Sequence, residues 1–169
     1  QAIVSSSDAK PDTLRTMAER AVAMAKEAPE DPHAGLADGA QLTTDTDCTS
    51  LDMFDAGPEP DPAELQDAAA RAEAAALENG DISQVQSASA AYGRRRIHLA
   101  ATNGFSGGYT RSENSLSCIA ISGSGNAMER DYDFDSRIYH SDMRDAADIG
   151  RIAAARAVER AGARKPKTG

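Results

Sequence analysis

The sequence predicts an α+β fold: an antiparallel sheet of about four strands flanked by helices, in the order helix, meander, helix. Three observations predict it. Apolar residues recur at helical spacing before Ala28, between Pro62 and Glu78, and again after Asp145. From Ile82 to about residue 138 the period is instead 2, as in strands with one face buried. Short glycine-bearing connections divide that alternating region, which favours antiparallel neighbours.

Ile3 and Val4 read as the tail of a strand, and Ser5 to Pro11 as a polar turn. Leu14, Met17, Ala18, Ala21, Val22, Ala25 and Ala28 then share one helical face, so a first helix is expected over about Pro11 to Ala28, stopped by Pro29. From Pro29 to Pro60 prolines, glycines and acids interrupt any period, which marks a connector with a short strand expected near Asp52. The second helix has a complete start signal. Asp61 stands at the N-cap, Pro62 at the first helical position and Glu64 where its carboxylate reaches back to the N-cap amide. Leu65, Ala68, Ala69, Ala72, Ala75 and Ala76 give this helix a narrow face of mostly small residues, suited to lying close on a sheet, and Asn79-Gly80 stops it.

Strands are expected at about 82–92, 95–102, 108–121 and 126–138, joined at Gly93, at Asn103 to Gly107 and at Gly123-Ser124-Gly125. In the fourth, Met128, Arg130, Tyr132 and Phe134 fall on one face and Glu129, Asp131, Asp133 and Asp135 on the other. A last helix begins at Asp145 and ends near Gly162, with Ile149, Ile152, Ala153 and Ala157 inward and Arg151, Arg156 and Arg160 outward.

Composition bounds the function. The chain has 34 alanines, while Leu, Ile, Val and Phe together number 23, roughly 14% of its 169 residues, below the usual content of a self-sufficient core. Some apolar faces are therefore expected to be completed by a partner or by further chain. The sequence opens at Gln1 without methionine and reads as an excised segment. A net charge of −9 opposes direct contact with nucleic acid. No apolar run approaches the ~20 residues of a membrane span. Cys48 and Cys118 lack the spacing of a redox or zinc site and read as free thiols in a reducing cytoplasm.

Candidate chemistry is sparse. The four acids from Glu129 to Asp135 read most simply as a solvated strand face; pairing with Arg94, Arg95, Arg96 or Arg111 and binding of a hard cation are the alternatives. His33, His98 and His140 have no mutual spacing that would hold zinc, and each reads as a surface or satisfied histidine. Ser122 to Gly125 fails the nucleophile-elbow pattern because position 120 is Ala, and Met128 stands where a dinucleotide fingerprint needs its third glycine. Arg94-Arg95-Arg96 reads as edge charge that discourages aggregation. Phe105 and Tyr109, flanking the glycine-rich turn, are the two residues singled out for peptide or interface contact.

The blocks VSSSD at Val4 to Asp8, AERAVAMAKEAPEDPHAGLAD, ATNGFSGGYTRSENSLSCIAISGSGNAMERDYDFDSR and IGRIAAARAVERAGARKPKTG resemble the PmbA-like branch of the TldD/PmbA family, in order and over essentially the whole chain. That resemblance implies the end of a first domain over 1–29, a connector over 30–60, a central α+β domain over 61–165, and at 166–169 the start of a linker to a C-terminal domain. It implies a cytoplasmic, non-catalytic subunit of a peptidase complex, dimeric as a full-length protein and partnered by a TldD-like subunit around an enclosed chamber. Zinc is then expected only in that TldD-like partner, with no cofactor in this segment. Implied substrates are unfolded proteins and peptides, including peptides matured in the microcin manner. An older family label, modulator of DNA gyrase, implies the alternative of a regulatory protein-binding module. No catalytic residue of the family maps onto a position of this chain.

Overall fold

The computed structural model describes residues 1–164, so the expected linker at 166–169 lies outside the described residues. The chain divides into two compact units, Gln1–Thr43 with Ala101–Phe105, and Thr44–Ala100 with Ser106 onward.

In the first unit, helix α1 spans Pro11–Glu27, with Pro11 at its start and Lys26 in its last turn, where a cation suits the negative end of the helix dipole. None of its residues is buried, and Leu14, Val22 and Met24 are about half exposed. Residues 3 and 4 form no strand. Thr13 Oγ1 donates to Asp8 Oδ2 at 2.8 Å, tying the entry turn to the helix. Asn103 Nδ2 donates to the Ala37 carbonyl at 2.9 Å, and Asn103 Oδ1 accepts from the Phe105 amide at 3.2 Å.

The second unit holds the sheet. Helix α2, Pro62–Leu77, starts as its sequence dictates: Asp61 Oδ1 accepts from the Ala63 amide at 2.7 Å, and Glu64 Oε2 accepts from the Asp61 amide at 3.2 Å. Three antiparallel strands follow in spatial order: β1 over Ile82–Ala100, β2 over Ser106–Ser122 and β3 over Glu129–Arg137. Four strands were expected. The difference lies at Gly93, which stays extended opposite Glu113 and continues the ladder, so the two expected strands on either side of it are one 19-residue strand. A glycine weakens a strand locally, but it breaks one only where the backbone turns. The irregularities of β1 lie elsewhere, between Ile82 and Gln84 and between Val85 and Ser87. The turn into β3 does use glycine, with Gly123 at φ +76°. No strand forms near Asp52; Thr49–Leu51 is a 3-10 turn, and the Met53 carbonyl accepts from the Ser112 amide at 3.1 Å.

Helix α3, Ala146–Glu159, is capped by Asp145, whose Oδ1 accepts from the Ala147 amide at 2.9 Å. Helices α2 and α3 cover one face of the sheet. The core between them consists of Ala72, Ala76, Ile82, Leu116, Cys118, Ala120, Ile149, Ala153, Ala154 and Ala157. Alanines dominate because the two helices pack closely: a β-carbon on Gly150 would stand 2.0 Å from the Ala72 carbonyl oxygen. Cys118 Sγ lies 3.9 Å from that same oxygen. Among the described residues of this unit no helix lies on the opposite face of the sheet, and Met128, Tyr132 and Phe134 are each about half exposed.

Candidate functional site

Alternation divides the side chains of the sheet between a helix-covered face and an open face. On β3 the acids point to the covered face. Asp133 and Asp135 are 5% and 6% exposed, which corrects the expectation of a solvated acidic strand. The alternative pairing with Arg94, Arg95, Arg96 or Arg111 is not formed either. The cations come from α3 and the segment before it: Arg144 Nη2 reaches Asp133 Oδ2 at 2.7 Å, and Arg156 Nη1 reaches Asp133 Oδ1 at 2.8 Å. Arg137 pairs with Asp135 at 3.1 Å, and Arg160 with Asp131 at 3.2 Å. Arg156 and Arg160, expected to point outward, thus lean over the edge of the sheet. A backbone bond from the Tyr132 amide, reinforced by Arg160, holds the Asp131 carboxyl below its ordinary range despite its desolvation. Buried carboxylates satisfied in this way are structural.

Where β3 ends, a second polar cluster fastens the connector to the sheet. Ser112 and Asn114 are buried and both donate to the Ile138 carbonyl at 3.0 Å. Ser112 Oγ also accepts from the Asp55 amide at 2.8 Å. Tyr139 Oη donates to Asp52 Oδ1 at 2.5 Å, which raises the Tyr139 pKa. His140 Nδ1 lies 3.3 Å from Asn114 Oδ1, and His98 Nε2 lies 3.2 Å from Ser106 Oγ. His33 is exposed in the other unit. Among the described residues no three His, Cys, Asp or Glu side chains converge as metal ligands. Cys48 and Cys118 are free thiols.

A groove of about 630 Å³ beside the starts of α2 and α3 contains His140, Arg71 and Arg144, but these are engaged with Asn114, Asp145 and Asp133. The open face differs in this respect. A groove of about 540 Å³ there is lined by Gly93, Arg95, Ile97, Tyr109, Arg111 and Glu113, among others. These positions alternate along β1 and β2 and share one side. They lie where the two strands run past the end of β3, whose pairing with β2 stops at Asn114. Arg95 stands directly opposite Arg111, and Ile97 opposite Tyr109. Arg94, pointing to the other side, is held 3.8 Å from Glu59 and 4.7 Å above the Phe54 ring. Farther along the open face Tyr132 and Phe134 stack with ring centroids 6.1 Å apart. A chain with three phenylalanines, four tyrosines and no tryptophan thus puts Tyr109, Tyr132 and Phe134 on one uncovered surface.

Of the two residues singled out from sequence, Tyr109 belongs to this face and is 37% exposed. Phe105 is half-buried in the first unit. Sequence reasoning missed Arg95 and Arg111 as a pair because the connection was expected over Asn103 to Gly107, whereas the ladder closes with Ala100 opposite Ser106, which shifts the register. It had placed Tyr132 and Phe134 on one strand face, but gave no sign that this face is the open one.

The model of the PmbA/TldA metallopeptidase central domain matches residues 55–161. Solved structures share the fold. A candidate modulator of DNA gyrase from Bacteroides thetaiotaomicron is 23% identical with a TM-score of 0.64, over 99% of this chain and 38% of that one. A candidate modulator of a DNA gyrase from Thermotoga maritima is 16% identical with a TM-score of 0.63, over 92% of this chain and 34% of that one. TldE from Thermococcus kodakarensis is 17% identical with a TM-score of 0.60, over 93% of this chain and 34% of that one. The chain therefore spans little more than a third of the length of these structures. No curated protein matches it. With its central-domain match covering more than half of its length, the chain belongs to the PmbA/TldA metallopeptidase family.

Proposed function

We propose that this chain is part of a PmbA-like, non-catalytic subunit of a TldD/PmbA-type peptidase complex, which helps form the chamber wall and handles polypeptide substrate. The match of the family's central domain over residues 55–161 carries the reading. The open sheet face supports it, because exposed rings, and guanidinium groups with no ion-pair partner among the described residues, suit contact with polypeptide more than they suit solvent. In this reading a TldD-like subunit supplies the zinc and the hydrolytic chemistry, and the complex acts in the cytoplasm on unfolded peptides and on peptides matured in the microcin manner. Free thiols accord with a reducing compartment. No described helix is long and apolar enough to cross a membrane.

The test is co-expression of the full-length protein with its TldD-like partner, followed by cleavage of an unfolded peptide with and without this subunit. Loss of cleavage on omission is the expected result; unchanged cleavage overturns the proposal. The second reading, a regulatory module, draws on the two solved relatives described as candidate gyrase modulators. A change in gyrase supercoiling produced by this protein alone would favour it.

A further inference from the structure

Arg95 and Arg111 are direct partners across the β1–β2 ladder on the open face of the sheet. Directly opposed residues have β-carbons about 5 Å apart, and like charges at that distance destabilise a sheet. Neither guanidinium has an ion-pair partner among the described residues, although acids outnumber bases by 27 to 18 in the chain as a whole. The nearest acid along β2 on this face is Glu113, whose Oε1 accepts from Ser136 Oγ at 3.1 Å. The segments 93–100 and 106–113 carry four arginines and one glutamate, a local reversal of the overall charge. Both strands are edges here, since β1 is the outer strand and β2 runs past β3, so the pair also places charge on unpaired strand edges. Beside them Ile97 and Tyr109, 41% and 37% exposed, supply apolar surface next to the two cations.

We infer that this end of the open face binds an acidic, extended segment of polypeptide, with carboxylates on Arg95 and Arg111 and an apolar side chain against Ile97 and Tyr109. Charge complementarity carries the choice of occupant. An acidic segment relieves the cross-strand repulsion, and each guanidinium can take a carboxylate through two parallel hydrogen bonds. A nucleic acid would bring many phosphates toward a chain of net charge −9, whereas a peptide brings a few carboxylates to this cationic patch. The inference deepens the reading of this chain as a polypeptide-handling subunit and rests on that reading for its biological use.

The experiment measures anisotropy of a fluorescein-labelled peptide of alternating glutamate and leucine on the full-length protein, against a lysine-and-leucine counterpart. The glutamate peptide is expected to bind saturably, with affinity falling as salt rises. Arg95→Gln with Arg111→Gln is expected to weaken it about tenfold while leaving the melting temperature unchanged or higher, because the substitution removes a repulsion. Arg95→Lys with Arg111→Lys keeps the charge and should retain most of the binding, which separates loss of the site from loss of the fold. Absence of saturable binding, equal binding of the lysine peptide, or equal affinity in the glutamine variant overturns the inference. Displacement of the peptide by an oligothymidylate of equal affinity assigns the face to nucleic acid instead. A change of oligomeric state in the glutamine variant assigns it to a second copy. Peptide binding that persists where cleavage is indifferent to this subunit would sink the peptidase reading and leave the site standing.

Discussion

The Ala72 carbonyl oxygen lies 2.0 Å from the point where a β-carbon on Gly150 would stand, so α2 and α3 meet backbone to backbone. The Ala76 amide nitrogen is also close, at 3.1 Å from that point. Backbone atoms cannot rotate aside as a side chain can, and Gly150→Ala must push the helices apart. We expect it to destabilise the domain by about 1–3 kcal/mol, the usual cost of overpacking a tight core. Gly80 has nothing within 4 Å and an ordinary φ, so Gly80→Ala is the control, expected to fall within about 0.5 kcal/mol of the parent. Urea denaturation of both variants measures the difference, and equal midpoints would show that the helix contact yields more easily than its geometry implies.

Arg144 is the principal cation for the two buried acids of β3. Its guanidinium reaches Asp133, lies 3.9 Å from Asp135, and donates to the Phe134 carbonyl at 2.7 Å. Arg144→Met leaves Asp133 with Arg156 and Asp135 with Arg137. A loss of about 2 kcal/mol is expected, in the range of hydrogen bonds to buried charge. Arg160, more exposed and paired with less buried acids, should cost under about 1 kcal/mol when changed to Met. The comparison of the two denaturation midpoints checks the ranking.

Helix boundaries were legible in the sequence because their signals are local. Asp61, Pro62 and Glu64 specify the start of α2 within four residues, and the structure forms that capping box. The acidic alternation of β3 was legible too, but its surroundings were not. The partners of Asp133 stand 11 and 23 residues away, and only the packing of α3 against the sheet brings them near. Gly93 shows the converse failure. A lone glycine between alternating runs looks like a turn, yet pairing with Glu113 keeps it extended within the same ladder that opposes Arg95 to Arg111. Of the candidate site, Tyr109 was found through its place beside the glycine-rich turn, while the arginine pair needed the ladder.

Tyr132 and Phe134 are more than half exposed on the open face and contact each other by stacking. A strand accepts threonine readily, so Tyr132→Thr with Phe134→Thr should change stability by no more than about 1 kcal/mol, the scale of the ring pair itself. If the face serves polypeptide contact, the double variant of the full-length protein should lose cleavage support in the complex while its melting temperature holds. Unchanged cleavage would show these rings to be surface alone.

Cys118 is fully buried against the Ala72 carbonyl, and Cys48 is only half-buried in the connector. Burial, and secondarily the Glu73 carboxylate, push the Cys118 thiol up from 9.0 to about 11. The folded state then holds this proton more tightly than the unfolded chain does. The stability it contributes is complete below the unfolded value of 9.0 and is lost as pH rises through about 11. The wild-type melting temperature should therefore fall more steeply over that interval than that of Cys118→Ala, even though the variant starts lower for the small void it leaves. The variant differs from the wild type in this one side chain, so the difference in slope isolates the thiol. A thiol reagent at neutral pH supplies the independent check: Cys48 should react at once and Cys118 only as fast as the domain opens. Parallel slopes together with two promptly reacting thiols would mean that the α2–α3–sheet core admits solvent.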